Sequence, residues 1–201
     1  MTPINKTVFI TSDHHFGHAN MCKFVLENGS KARPWDDVRD MDEAMIENWN
    51  RVVKPTDKVY HLGDVAIARR SLAILDQLHG EKILIRGNHD SFKLSDYVKY
   101  FKDIRAFHLL NGCMFTHAPM HTACLGKFGC NVHGHTHMNI MQRLSDTGGM
   151  ERDPNYLNVC VEHTNYTPLT LDEVFGRIVA QGGTVGFCEK RGWYQQVSTE
   201  E

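Results

Sequence analysis

Three short apolar runs, rich in β-branched and aromatic residues, each end in a small polar cluster, and amphipathic stretches separate them. Lys6-Thr7-Val8-Phe9-Ile10-Thr11 leads into Asp13-His14-His15, Lys58-Val59-Tyr60-His61-Leu62 into Gly63-Asp64, and Lys82-Ile83-Leu84-Ile85-Arg86 into Gly87-Asn88-His89-Asp90. Runs of this length and composition are strands. Between the first two, Met41, Met45, Ile46, Trp49, Val52 and Val53 recur at spacings of three and four, which predicts a helix with one apolar face. Between the second and third, Leu72, Leu75 and Leu78 predict another helix, capped at Gly80. The strand-helix-strand-helix-strand order predicts parallel strands with right-handed crossovers, and ligands bind at the loops beyond the carboxyl ends of such strands. Asp13, Asp64 and Asn88 are therefore expected side by side.

Further along, Arg105-Ala106-Phe107-His108-Leu109-Leu110 and Cys113-Met114-Phe115-Thr116 predict a hairpin turning at Asn111-Gly112. Asn131-Val132-His133 predicts a strand before Gly134-His135, and Tyr156 to Val161 an alternating one. A last helix is expected around Leu171 to Ala180, with a turn at Gly182-Gly183. Residues 28–37 and 143–155 carry loop composition, and loops of that length within a compact domain are often functional. No internal repeat or low-complexity tract interrupts the pattern.

The length of 201 residues predicts a single domain spanning 1–201. With 41% apolar and 23% charged residues the chain is neither disordered nor membrane-embedded, and no run approaches the roughly 18 apolar residues of a membrane span. The start, Met1 to Lys6, lacks a secretory apolar core, so a cytoplasmic location is expected. A formal charge of −2 without runs of Lys and Arg disfavours binding along extended nucleic acid and favours a small phosphate-ester or nucleotide substrate. Six cysteines, none in a C-x-x-C pair, read as reduced thiols, mostly buried. Of 13 histidines, His14, His15, His61, His89, His117, His135 and His137 fall in or beside polar clusters. Neutral imidazoles and carboxylates in this clustering are the ligand inventory of metal-assisted hydrolysis.

Taken in order, Asp13-His14-His15, Gly63-Asp64, Gly87-Asn88-His89-Asp90, His117-Ala118-Pro119 and Gly134-His135-Thr136-His137 resemble the calcineurin-like metallophosphoesterase superfamily, over roughly residues 7 to 175. A narrower likeness, carried by Asp13 to Asn20, Arg33-Pro34-Trp35, Asn158 to Glu162 and Tyr166-Thr167-Pro168-Leu169, points to a small bacterial and phage branch. The resemblance implies an α/β fold, a four-layer α/β/β/α sandwich with mixed sheets and the metal site at the C-terminal ends of strands. It also implies two divalent ions, manganese first, with iron, zinc or nickel as alternatives. Asp13, His15 and His137 would hold one, Asn88, His117 and His135 the other, and Asp64 would bridge them. His135 and His137, two apart in an extended segment, would send one side chain to each ion. Water is the implied nucleophile and His89 the general acid at the leaving oxygen, with Asp90 orienting its imidazole. One departure is Gly63-Asp64-Val65-Ala66-Ile67, where many members place a second carboxylate.

His18, Arg33 and Arg143 are candidate substrate contacts: His18 because its loop adjoins Asp13 and His15, the arginines because a guanidinium grips phosphate bidentately. His14, His61, His121 and His133 read as packing or supporting histidines, and Trp35 and Trp49 as anchors of helix packing. The leading expectation is a binuclear phosphodiesterase acting on small nucleotides or nucleic-acid ends. The alternatives are a nucleotide pyrophosphatase or phosphomonoesterase, or a metal-binding scaffold without catalysis. The oligomeric state is not legible.

Overall fold

Strand β1 runs over Val8–Thr11, and helix α1 over Val38–Val52. Asp37 caps α1 by accepting the Arg39 N–H at 2.7 Å, and Lys54-Pro55 follows its last turn, where proline cannot continue a helix. Strands β2 (Lys58–His61) and β3 (Glu81–Ile85) come next, then α2 (Leu94–Tyr97) and β4 (Asp103–Arg105). The expected second helix, over Leu72 to Leu78, is a 3₁₀ helix, Arg69–Gln77. Its leucines recur strictly every third residue, which suits three residues per turn better than 3.6.

The chain continues through β5 (His108–Leu110), β6 (Cys113–Thr116), α3 (Thr122–Leu125), β7 (Cys130–His133), β8 (Gln142–Leu144), β9 (Met150–Arg152), β10 (Tyr156–Asn158), β11 (Leu169–Thr170) and α4 (Leu171–Ala180). A capping box between Thr170 and Glu173 starts α4. These assignments come from a computed structural model that describes residues 6–188. The ends of the expected 1–201 domain, residues 1–5 and 189–201, lie outside the described residues.

The strands form two larger sheets of mixed direction. One has the order β11-β1-β2-β3-β4, parallel except for β11, and the other the order β10-β7-β6-β5, parallel except for β5. The hairpin at Asn111-Gly112 forms as expected, both residues at positive φ as a type I′ turn requires. The run before it divides, however: Arg105 pairs with Ile85 in the first sheet, and His108 with Phe115 in the second. Residues 143–155, expected as a loop, contain the β8–β9 hairpin. The segment expected as a strand over Tyr156–Val161 leaves the sheet after Asn158 and turns into a short 3₁₀ helix, Val161–His163.

Strand alternation sorts the first sheet onto two cores. Phe9, Val59 and Leu84 pack with Met41, Met45 and Trp49 of α1 and with Leu72 and Leu75. Ile10, Tyr60, Ile83 and Ile85 face Phe115, Val132 and Leu157 of the second sheet, and Val174 and Ile178 of α4 join that same core. The far face of the second sheet, with Met114 and Tyr156, packs on Leu125 of the four-residue α3. No helix of the described residues is long and apolar enough to cross a membrane.

At the carboxyl ends the two sheets meet. A bridge joins Ser12 to Cys160, and the Val161 N–H donates to the Ser12 carbonyl at 3.2 Å. Trp49, fully buried with its indole N–H on the His79 carbonyl at 2.9 Å, carries the largest side chain of the first core. Trp49→Ala is expected to lower the unfolding free energy by about 3–5 kcal/mol, read from urea titration by circular dichroism.

Candidate metal centre

All five polar clusters follow strands that run in the same direction, so they gather at one end of the paired sheets. Backbone pairing extends β1 and β2 into their loops: the Asp13 N–H donates to the Gly63 carbonyl at 3.0 Å, His15 to Asp64 at 3.1 Å and Phe16 to Val65 at 2.9 Å. Glycine lets these loops touch. A Cβ on Gly63 would stand 2.6 Å from the Gly87 nitrogen and 2.7 Å from His117 Nδ1, and one on Gly134 would collide with Ser12 and Asp13.

The backbone at the cluster is left-handed at side chains that rarely adopt it. Asp13, His15, Asp64, His135 and His137 have φ of 61°, 53°, 56°, 68° and 46°. Such positions cost roughly 1–3 kcal/mol each and collect at functional sites. His135 and His137 were expected in an extended segment; their side chains do part, but a left-handed backbone parts them. His135 Nδ1 stands 2.9 Å from Asn88 Oδ1, whereas His137 Nδ1 stands 3.1 Å from Glu162 Oε1 and its ring lies 5.1 Å from that of His15.

The donor atoms crowd. His117 Nδ1–H donates to the Leu62 carbonyl at 2.7 Å, so in the neutral ring Nε2 carries the lone pair. That nitrogen lies 2.8 Å from Asn88 Oδ1, 3.2 Å from His135 Nδ1 and 3.4 Å from Asp64 Oδ2. Ligands about 2.1 Å from a single cation stand on the order of 3.0–3.4 Å from one another. On the other side, both ring nitrogens of buried His15 and Asp13 Oδ1 have no hydrogen-bond partner, and His15 Nε2 lies 3.6 Å from Asp64 Oδ2 and 3.8 Å from Asp13 Oδ1. Unsatisfied buried nitrogen and oxygen facing one another is costly unless a cation lies between them.

Among the described residues three donor groups result, each with its atoms within 4.8 Å of one another: Asp13-His15-Asp64, Asp64-His117-His135 and Asp13-His137-Cys160. These residues can hold a metal ion. Imidazole, carboxylate and amide donors suit Mn, Fe, Ni or Zn. Electrostatics agree. Burial opposes ionisation of Asp13 and Asp64, but neighbouring histidines and N–H donors outweigh it and hold both carboxyls below their ordinary values. Burial likewise opposes protonation of His117 and His137, yet Asp64 and Asp13 around the first and Glu162 around the second raise both.

Several expected roles change. Arg33 is completely buried and does not reach a substrate: its guanidinium donates to Glu162 at 2.9 and 2.8 Å and to the Asp13 and His14 carbonyls at 2.7 Å each. Asp90 does not orient His89. Its carboxylate accepts the backbone N–H of Asp64 and Gly87 at 2.8 Å each and of Val65 at 3.0 Å, which ties two loops together. Arg143 sits on the exposed β8–β9 hairpin and is held by Glu151 at 2.8 Å, not by a residue of the cluster. His18 does adjoin the cluster, its ring 5.8 Å from that of His15 and its Nδ1 buried without a partner. The His89 ring lies 5.3 Å from that of His15, and its backbone N–H is fixed on Asp64 Oδ1 at 2.8 Å.

Two groups escaped the sequence reading. Glu162 accepts from both His137 and Arg33, and the Cys160 thiol lies 3.2 Å from Asp13 Oδ2. Both lie in the segment from Asn158 to Glu162, whose only signal was a lettered likeness without chemistry. The expected supporting role of His14 and His61 takes a definite form. Gly63 N–H donates to His61 Nδ1 at 3.2 Å, which leaves the proton on Nε2, 2.9 Å from His14 Nδ1.

Glu162→Gln keeps the shape but removes the charge that orients His137. It is expected to weaken manganese binding 10–100-fold by calorimetric titration. Burial holds the His61 pKa down at about 3 and that of His14 well below its ordinary value. A histidine depressed in this way stabilises the fold fully above its unfolded value of about 6.5 and loses that contribution as pH falls from there toward 3. The ring-proton resonances of His14 and His61 should therefore stay fixed from pH 8 to 5.

No family model matches the chain. The chain is 32% identical over 184 residues to the uncharacterized protein MJ1445 of Methanocaldococcus jannaschii, a match that covers 90% of this chain and 95% of the relative. It is 34% identical over 87 residues to the gene 66 protein of Mycobacterium phage L5, across 41% of this chain and 39% of that one. Among solved structures, the protein of unknown function AQ665 from Aquifex aeolicus shares the fold with a TM-score of 0.63 at 22% identity, covering 86% of this chain and 99% of the other. The chain is thus a mixed α/β protein with a clustered histidine and carboxylate site, and it belongs to the family of MJ1445.

Proposed function

We propose that this protein is a binuclear metal-dependent phosphoesterase of the calcineurin-like superfamily, and that it hydrolyses phosphodiester bonds of small nucleotides or nucleic-acid ends. The observation that carries the reading is the shared position of Asp64. Its carboxylate belongs to two donor groups at once, with Oδ2 3.6 Å from His15 Nε2 and 3.4 Å from His117 Nε2. A carboxylate so placed suits a bridge between two cations. The succession of α1, two facing sheets and α3 supports the expected sandwich, and the site at the carboxyl ends of parallel strands supports it further.

Asp13, His15 and His137 would hold one ion, Asn88, His117 and His135 the other, with manganese the first choice and iron, zinc or nickel compatible. When bound, the ions supply Lewis acidity at phosphoryl oxygens and lower the pKa of an attacking water. The chain's own groups do the rest. His89 is exposed while its main chain is anchored on Asp64, so its imidazole N–H can pass a proton to the departing ester oxygen. His18, whose ring like that of His89 adjoins His15, can donate to a non-bridging oxygen. Arg33, Asp90 and Glu162 act beneath, holding loops and ligand rings in place.

The test starts from protein stripped of metal and reloaded with manganese, assayed on bis-p-nitrophenyl phosphate and p-nitrophenyl phosphate. Diester turnover is expected, and His89→Ala should reduce kcat roughly 100-fold or more while two manganese ions remain bound. Preference for the monoester would move the assignment to a phosphomonoesterase. Two bound ions without turnover of either would favour the scaffold, and equal loss of metal and activity in the variant would remove His89 from the chemistry.

A further inference from the structure

A cavity of about 690 Å³ opens directly beside the cluster and shares Asn88 and His117 with it. That volume lies within the range that takes a small organic ligand, roughly 300–1,000 Å³. Phe107, Met114 and Met120 line it, and Arg86 stands at its rim. Phe107, in the link between the two sheets, is 52% exposed and so accessible to a ligand in the cavity.

The side chains that line this cavity discriminate. Beyond the donors and Arg86, the polar oxygen among them is Thr116 Oγ1, and it is committed: it donates to the Ala118 carbonyl at 2.7 Å and accepts from Asn131 at 2.9 Å. A bare sugar would lose hydration here and find few side-chain partners. A flat apolar ring would find a phenyl face and two thioether side chains that conform to it. The Arg86 guanidinium is itself fixed, donating to the Asp90 carbonyl at 2.6 Å and the Phe92 carbonyl at 3.0 Å, so the rim is preformed.

We infer that this cavity is the subsite for the organic group of the substrate, and that it selects a flat aromatic one, the base of a nucleoside phosphoester, stacked on Phe107. The inference rests on the phosphoesterase reading, because it is the shared Asn88 and His117 that tie the occupant to a phosphoryl group at the ions. It goes beyond that reading in naming the cavity that takes the base and the residue that selects it.

Cys124 lines the cavity and is exposed, whereas the other five cysteines are buried or partly buried. In a Cys188→Ser background, manganese-loaded protein is alkylated with iodoacetamide in the presence of AMP, ribose 5-phosphate or inorganic phosphate, and the affinity of each is measured by calorimetry. AMP is expected to slow alkylation at least fivefold and to bind more tightly than ribose 5-phosphate. Phe107→Ala should weaken AMP roughly tenfold, in keeping with the loss of one stacked base, and leave inorganic phosphate unchanged. AMP and ribose 5-phosphate binding equally, with Phe107→Ala affecting neither, would overturn the subsite while diester turnover kept the phosphoesterase standing. No binding of any of the three, together with no turnover, would overturn both.

Discussion

The buried pair of Arg33 and Glu162 joins positions 129 residues apart, and the geometry of the cluster depends on it. From one guanidinium, hydrogen bonds run to the Glu162 carboxylate and to two successive carbonyls, Asp13 and His14, in the stretch where the chain turns left-handed. Glu162 in turn orients His137. Removing one partner of a buried ion pair leaves an uncompensated charge, typically costing 3–5 kcal/mol, so neither residue is free to vary alone. Asp90 does the same for the neighbouring loops by accepting three backbone N–H groups. The cluster is thus held from below by groups that lie outside the three donor sets.

This support matters because the donor loops are strained and crowded. Five donor residues sit at positive φ, and nitrogen and oxygen atoms of Asp64, Asn88, His117 and His135 meet within 3.4 Å. A cation among them would draw their lone pairs to itself, and burial would strengthen its attraction to the carboxylates. The cavity beside Asn88 and His117 opens where, on the reading proposed above, a phosphoryl group held at the ions would present its ester arm.

Much of the frame was legible in the chain. The three apolar runs became β1, β2 and β3 in parallel register, Met41, Met45 and Trp49 became the buried face of α1, and Asn111-Gly112 became the hairpin turn. Periodicity failed where a second structure shares its period, as in the leucines at 72, 75 and 78 that wind a 3₁₀ helix. It also failed where one apolar run serves two sheets, as between Arg105 and His108.

The sequence by itself determined which histidine, aspartate and asparagine side chains the site would contain, because strand-end position and side-chain type are local properties: Asp13, His15, Asp64, Asn88, His117, His135 and His137 all reach one cluster or its rim, whereas Cys160 of the third donor group was not legible. What each charged group does was decided only by the tertiary structure. Arg33 and Arg143 look alike as letters, yet one is sealed against Glu162 and the other paired with Glu151 at the surface. Asp90 follows His89 in the chain but serves backbone amides from two loops. A long or charged side chain can satisfy itself with any partner in reach, and which partners come into reach is fixed by contacts between segments far apart in the chain.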